Sequence, residues 1–407
     1  MRILYLTQFF EPEPAFKGLS FAKGLRRLGC DISVVTGFPN YPGGRLYPGY
    51  RLRVFRRERM DGIIVDRVFL YPSHSRSAGG RTLNYMSFAI SLVIYGLIAI
   101  RGRDVIYVYH PPLTTAIAAI AIGFLRRRPV VLDIQDLWPD TLAATGMVSG
   151  WTVTAVGQAC RIVYRRASRI IVQSHGFKKK LMERSVAAEK IEVVLNWAQE
   201  QDAVRTGKVE LAPYALRDRF NVVFAGTMGL AQDLDVVLDA AALVAEVTPR
   251  VQFLLVGDGI EAARLKKRIE DEYLKNVRIM PRVAISEVAD ILCAADVLLV
   301  TLRTDPLFEI TIPSKTQFYL CVGKPVIMAV GGEAASLIER SGSGLCVPPG
   351  NPEALAEAAL RLQRMEPAEL LAMGRRGQCF YRHEMAFTLG IEKTVVVLNE
   401  AIRHSAA

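Results

Sequence analysis

A chain of 407 residues, 51% apolar and 22% charged, can bury two cores of roughly 200 residues each and is not a disordered protein. Its cysteines (Cys30, Cys160, Cys293, Cys321, Cys346 and Cys379) form no C-x-x-C pair, and its histidines form no H-E-x-x-H or His-x-His arrangement. That excludes a disulfide framework or zinc ribbon, indicates no metal site, and suits a reducing cytosol.

The net charge of +11 is uneven: residues 1–200 carry 28 Lys/Arg against 14 Asp/Glu, the remainder 23 against 26. The first half therefore expects an anionic partner surface. No RNP, zinc-finger or basic-aromatic signature supports nucleic acid. The basic runs flank apolar stretches, so an anionic lipid leaflet is the expected partner, with a solvated basic face as the alternative.

Met1-Arg2 opens directly on Ile3-Leu4-Tyr5-Leu6, too short an apolar run for a signal peptide. The first half then alternates β-branched runs with helical stretches, which predicts a parallel sheet with crossover helices. Strands are predicted at Ile3–Thr7, Ile32–Thr36, Ile63–Tyr71, Val105–Tyr109, Val130–Ile134, Ile170–Gln173 and Val193–Leu195. Helices are predicted at Phe16–Leu28, Leu83–Ile100, Leu113–Leu125 and Val153–Arg166. No charge occurs from Thr82 to Ile100, but Asn84, Ser87, Ser91 and Gly96 interrupt the run, so a buried or interfacial helix is expected rather than a span.

The pattern stops around 197–218, where a polar stretch with Gly207 and Pro213 marks the expected domain junction. It restarts with strands at Val222–Ala225, Phe253–Val256, Val277–Met280, Val297–Thr301, Val326–Ala329 and Leu345–Val347. Helices fit Leu234–Glu246, Glu261–Leu274, Ser286–Cys293, Pro352–Arg364 and a long segment near His383–Ile402. Two such domains are expected to bind ligands at their strand ends, across a central cleft.

The first strand runs into Gln8-Phe9-Phe10-Glu11-Pro12-Glu13-Pro14, which is no G-x-G-x-x-G fingerprint and argues against NAD. Glu13 in this loop is either an acceptor contact or part of a rigid connection. Leu132 to Asp140 ends a strand with carboxylates beside Trp138; Asp136 is read as a general base or hydrogen-bonding group, or as a helix cap.

Gly226-Thr227-Met228-Gly229 lies between a strand and a helix, where backbone N–H groups and a helix N-terminus favour phosphate, although a tight turn needs the same glycines. Gly257-Asp258-Gly259 is a ligand-facing loop without the ribose-binding acid that NAD would need. Pro313-Ser314-Lys315-Thr316-Gln317 opens a helical stretch with a cation where a diphosphate would sit. Arg282 and Arg303 also follow strands of the second domain.

The order of these segments resembles glycosyltransferase family 4, retaining enzymes of the GT-B fold, and especially its bacterial polysaccharide branch with L-fucosamine and colanic-acid transferases. The likeness is carried by Thr36 to Gly44, Asp136-Leu137-Trp138-Pro139-Asp140, Asn196-Trp197, Gly226 to Gly229 with Gln232, and Pro313 to Gln317 followed by Gly323-Lys324-Pro325. It implies an acceptor domain over residues 1–198 and a nucleotide-sugar domain over 199–382, with the helix at about 383–407 returning to the first.

The resemblance also implies Lys315, Asp136 and Arg282 as catalytic residues. It places Gly226, Thr227, Met228, Gly229, Gln232, Gly257, Asp258, Arg303, Pro313, Ser314, Lys315, Gln317 and Glu333 at the donor, and Glu13, Asn40, Tyr41 and Trp138 at the acceptor. The family's paired glutamates fall on Ile310 and Phe318, with Glu309 and Gln317 at the same spacing one residue earlier. The implied activity moves an N-acetylated or deoxy hexose from a UDP-sugar to a polyprenyl-diphosphate-linked saccharide, without metal or cofactor, at the cytoplasmic face of the plasma membrane. Alternatives are a nucleotide-sugar epimerase or hydrolase of the same fold, or a non-catalytic sugar-nucleotide-binding subunit.

Overall fold

A computed structural model describes residues 1–73, 78–144, 150–203 and 219–406; the stretch with Gly207 and Pro213 lies outside them. The chain forms two compact units, Met1–Val194 with Gly390–Ala407, and Leu195–Leu389.

The first unit runs β1 (Arg2–Leu6), α1 (Leu19–Arg27), β2 (Asp31–Gly37), β3 (Phe55–Met60), β4 (Ile63–Val68), α2 (Ala78–Ala99), β5 (Val105–His110) and α3 (Leu113–Arg126). It continues with β6 (Val130–Ile134), α4 (Asp140–Ala144), α5 (Trp151–Arg166), β7 (Arg169–Val172), α6 (His175–Glu183) and β8 (Ile191–Val193). The sheet order is β3-β4-β2-β1-β5-β6-β7-β8, parallel except for β3 against β4. Its inner strands are nearly continuous apolar runs, as burial of both faces requires.

β3 was not expected, because Phe-Arg-Arg-Glu-Arg-Met lacks apolar alternation. Cross-strand charge pairing supplies it instead: Arg57 pairs with Asp66 at 2.8 Å and Arg67 with Glu58 at 2.5 Å. A charged strand at the sheet's edge also discourages pairing with other chains.

The second unit opens with α7 (Glu200–Ala203), then β9 (Phe220–Ala225), α8 (Leu234–Val247), β10 (Val251–Val256), α9 (Ala262–Asp271), β11 (Val277–Met280), α10 (Ile285–Ala294) and β12 (Val297–Thr301). There follow α11 (Pro306–Glu309), α12 (Ser314–Val322), β13 (Val326–Ala329), α13 (Gly332–Ser341), β14 (Gly344–Cys346), α14 (Pro352–Gln363), α15 (Pro367–Glu384) and α16 (Phe387–Ala406). The order β11-β10-β9-β12-β13-β14 is parallel throughout. Alternate strand residues feed two cores: Val223, Leu254 and Leu298 pack toward α10, α12 and α13, while Val222, Phe253 and Leu299 pack toward α8 and α14.

The single helix expected near His383–Ile402 is two helices, α15 and α16. Met385 breaks them with φ −130°, and Glu200 accepts from the Tyr381 hydroxyl at 2.8 Å and the Phe387 N–H at 2.7 Å across the break. Within α16 the chain passes to the first unit at Gly390, and there Glu400 meets Arg169 of β7 at 3.4 Å. The units divide at Val194 and Leu195, slightly before the expected junction.

Candidate functional site

In the second unit the loops ending β9 and β10 meet back to back. Gly226 and Gly257 have φ of +151° and +148°, a region that penalises any Cβ. A Cβ on Gly257 would overlap the Gly226 carbonyl, and one on Gly259 would overlap that of Met228. The Met228 N–H donates to Asp258 O at 2.9 Å, and the Glu261 N–H to Met228 O at 3.1 Å. These glycines thus serve both a positive-φ turn and loop-to-loop contact.

A cavity of about 410 Å³ lies over this junction, lined by Gly226, Thr227, Gly257, Asp258 and, from the loop after β11, Arg282. Arg282 is exposed and Val283 and Val288 complete the wall.

Lys315 adjoins the cavity through Gly226. Its Nζ is sealed from solvent without a hydrogen-bond partner and sits 3.6 Å from the centre of the Phe224 ring. A Cβ on Gly226 would stand 3.0 Å from that amine, so the glycine makes room for it. Burial pulls the Lys315 amine down to about 7. One helical turn on, the Tyr319 hydroxyl accepts the Ala225 N–H at 2.9 Å and locks α12 to the end of β9. The sequence reading missed Tyr319, although its i+4 spacing from Lys315 marks the same helix face.

Other residues of the expected donor set lie elsewhere. The Met228 side chain is buried in the core, so only its backbone serves the loop. Gln232 shapes the turn, its Oε1 accepting the Gly229 N–H at 3.0 Å. Arg303 is exposed, its N–H bonded to Ala231 O at 3.0 Å, and it meets Asp305 at 4.0 Å. Pro313 caps α12, Ser314 is exposed at its first turn, and Glu333 sits in the first turn of α13. Buried Gln317 turns inward, its amide donating to Pro313 O at 2.7 Å and Ser314 O at 3.1 Å. Gln317 thus faces its own helix start, whereas Glu309 is exposed beside Gly331 and Gly332.

The first unit holds a cavity of about 610 Å³ at the strand ends, walled by Phe9, Phe16, Tyr41, Tyr85, Tyr109 and Trp138. Asp136 lines it, with burial raising its carboxyl above the usual range. Helix capping is not its role: the half-exposed Asp140 opens α4, paired with Arg184. Lys17 and Gln135 also line the cavity; both bond Asp133, which in addition accepts from the Tyr107 hydroxyl. This fully buried ion pair holds the first loop to β6.

Of the expected acceptor residues, Tyr41 and Trp138 line the cavity, whereas Glu13 and Asn40 stand behind its wall. Glu13 is buried and takes the N–H groups of Asn40 at 2.6 Å, Tyr41 at 2.7 Å and Phe10 at 3.3 Å. Its carboxylate is committed to the backbone; burial raises it to about 7 against those bonds. Asn40 is buried, bonded to Phe38 O at 3.0 Å and to Asn84 at 3.3 Å. Both therefore shape the loop that carries Tyr41. His110, unnoticed in the sequence, is buried against Trp138 and Tyr164 and held down to about 4 by burial, hence neutral.

Two family descriptions match the chain: "Glycosyl transferase 4-like domain" over residues 19–197 and "Glycosyl transferases group 1" over 219–365. The chain is 27% identical to the probable glycosyltransferase WbjE of Pseudomonas aeruginosa over 63% of its own length, and spans 65% of that relative. It is 26% identical to the putative colanic acid biosynthesis glycosyl transferase WcaI of Escherichia coli, over 87% of this chain and 90% of that one. Its fold is similar to Anabaena Alr3699/HepE in complex with UDP-glucose, with TM-score 0.69 and 19% identity over 98% of this chain and 100% of that one. Sucrose-phosphate synthase from Thermosynechococcus elongatus is similar too, at TM-score 0.70 and 15% identity over 99% of both chains. At these identities the likeness to the solved structures is one of fold.

Proposed function

The chain belongs to glycosyltransferase family 4, on the GT-B fold, and we propose that it transfers a sugar from a UDP donor to a polyprenyl-diphosphate-linked saccharide, with retention of configuration. The sugar is an N-acetylated or deoxy hexose, the product part of a surface polysaccharide, and the place of work the cytoplasmic face of the plasma membrane. The names of the relatives from Pseudomonas and Escherichia coli, and the UDP complexes of the Anabaena protein, support this reading.

The observation that carries it is the buried, unpartnered amine of Lys315 beside the Gly226 turn. A buried cation without a partner is costly unless a ligand supplies the anion. A diphosphate at the glycine junction would meet the Arg282 guanidinium, with the Lys315 amine just behind Gly226. Those groups stabilise the charge that develops on the leaving diphosphate. The bond from the anomeric carbon to the diphosphate oxygen breaks, and the acceptor hydroxyl oxygen bonds to the same face. Its proton passes to a phosphate oxygen of the departing UDP. Cationic side chains take the part of a metal ion here.

The aromatic cavity of the first unit offers faces for sugar rings, with Asp136 as the acceptor's hydrogen-bond partner. It favours transfer to a saccharide over epimerisation or hydrolysis of the donor, neither of which needs an acceptor site. The test is a panel of UDP-sugars with a polyprenyl-linked acceptor, products read by mass and anomeric proton coupling. A lengthened acceptor with the donor's anomeric configuration is expected. Free sugar or an epimer without acceptor elongation overturns the reading, as does inverted configuration for retention.

A further inference from the structure

Helix α2 buries one face and leaves the opposite one bare. Asn84, Phe88, Leu92, Gly96 and Ile100 face inward at intervals of four, while Leu83, Met86, Ile90, Ile94 and Ile98 stand 47–66% exposed. Over about 22 Å of helix that outer stripe is entirely apolar. It continues onto α3, packed alongside, where Ile117, Phe124 and Leu125 are exposed. Close approach explains the continuity: a Cβ on Gly96 would overlap Ile122 of α3. Exposed Arg101 follows the end of α2, and exposed Arg126, Arg127 and Arg128 stand at the end of α3.

We propose that this α2–α3 face docks on an anionic lipid leaflet, with the apolar stripe in the headgroup–acyl boundary and the arginines on lipid phosphates. Charge complementarity selects this occupant. No Asp or Glu occurs between Arg67 and Arg103 or between Val105 and Leu132, so a second copy using the same helices brings no carboxylate to the arginines. Lipid headgroups do, at about 1 kcal/mol per basic residue near the surface, while the stripe adds apolar burial.

α2 is long and apolar enough to cross a membrane, yet its inner face is tied to the domain. Asn84 accepts from Gln8 at 2.6 Å and donates to Tyr71 O at 2.7 Å, and the Tyr95 hydroxyl donates to Asp66 at 2.8 Å. Crossing would strip these buried polar groups of partners, so the helix lies along the leaflet. Arg81, Thr82 and Tyr85, on its first turns, line the aromatic cavity. Resting on the transferase reading, this places a wall of the acceptor site on the docking helix itself, where a lipid-linked substrate arrives.

The test is co-sedimentation of the full chain with phosphatidylcholine vesicles, with and without phosphatidylglycerol, at low and high salt. It needs neither donor nor acceptor, so its outcome stands apart from that of the transfer assay. Anionic vesicles are expected to carry down most of the protein at low salt and high salt to release part of it. Ile90→Glu with Ile94→Glu is expected to lower the partition coefficient at least tenfold. Replacing Arg126, Arg127 and Arg128 by Gln is expected to abolish the preference for anionic vesicles. Circular dichroism checks the fold, and Ile90→Ser with Ile94→Ser serves if the glutamates disturb it. Equal recovery in both supernatants overturns the proposal, as does unaltered binding by the folded Ile90/Ile94 variants. So does a solution dimer that these substitutions dissociate, which would make the stripe a self-interface.

Discussion

A Cβ on Gly257 has no room, because the carbonyl oxygen of Gly226 already occupies its place. Two loops from neighbouring strands are thereby fixed against each other before any ligand arrives. Gly257→Ala is expected to combine this overlap with an unfavourable positive φ and cost at least about 2 kcal/mol. Gly43→Ala, with nothing near its Cβ and no positive φ, should be close to neutral. Thermal unfolding of both variants checks this; equal melting temperatures would show that the loops separate easily.

Lys315→Met should lose at least about a hundredfold in turnover, because the variant keeps the volume but removes the charge beside the leaving group. It should unfold no more readily than the parent, since the amine has no hydrogen bond to lose and methionine keeps an apolar contact with the Phe224 ring. Lys315→Ala should likewise stay folded and inactive. Near-normal turnover by either folded variant would remove Lys315 from the site.

The Lys315 amine also makes donor binding depend on pH. Free, it loses its proton near 7; beside a diphosphate it holds it to higher pH. Binding above pH 7 therefore takes up a proton, and UDP affinity falls with rising pH by up to about tenfold per unit. In the unliganded chain the unfolded state binds the extra proton between about 7 and 10.5, so stability rises with pH there. Calorimetry of UDP binding at pH 8, in buffers of different ionisation enthalpy, measures the uptake. No uptake, or the same uptake in Lys315→Met, would contradict the assignment.

Turnover should persist in excess EDTA. Among the described residues no group of three or more His, Cys, Asp or Glu side chains is placed to hold a metal ion, and in the proposed reaction the diphosphate falls to Lys315 and Arg282. Activity that disappears with chelator and returns with magnesium or manganese would reverse this.

Glu13→Ala should destabilise the first unit by about 1–3 kcal/mol, because it orphans buried N–H groups of Asn40, Tyr41 and Phe10. The carboxyl titrates near 7 when folded against 4.5 ordinarily, so the folded state holds the proton more tightly. Its contribution is complete below pH 4.5 and declines as pH rises through 7. Glu13→Gln should flatten that slope, as denaturation from pH 4 to 8 can measure. An unaltered slope would assign it to other groups.

Strand positions and the glycine and lysine loops were readable from residue type, because parallel strands demand apolar runs and loops near anions demand small or basic residues. Direction within a loop was not. Gln317 and Met228 have suitable chemistry and spacing but turn inward, an outcome set by packing that only tertiary contact decides. β3 was hidden because its pairing depends on charges nine residues away on β4 rather than on periodicity. Glu13 was legible as a loop carboxylate, while the backbone donors that claim it were not.

The return of the last helix alters how the protein can be taken apart. Because Gly390–Ala407 belongs with Met1–Val194, the second unit is an internal insert and neither unit can be released by one cut. A chimera of the second unit would exchange Leu195–Leu389 as a cassette and keep both ends of the chain. A simple fusion of halves would leave β7 beside a foreign helix and lose the Arg169–Glu400 pair. The second unit is thus exchangeable from the middle of the gene outward, with two seams to repair.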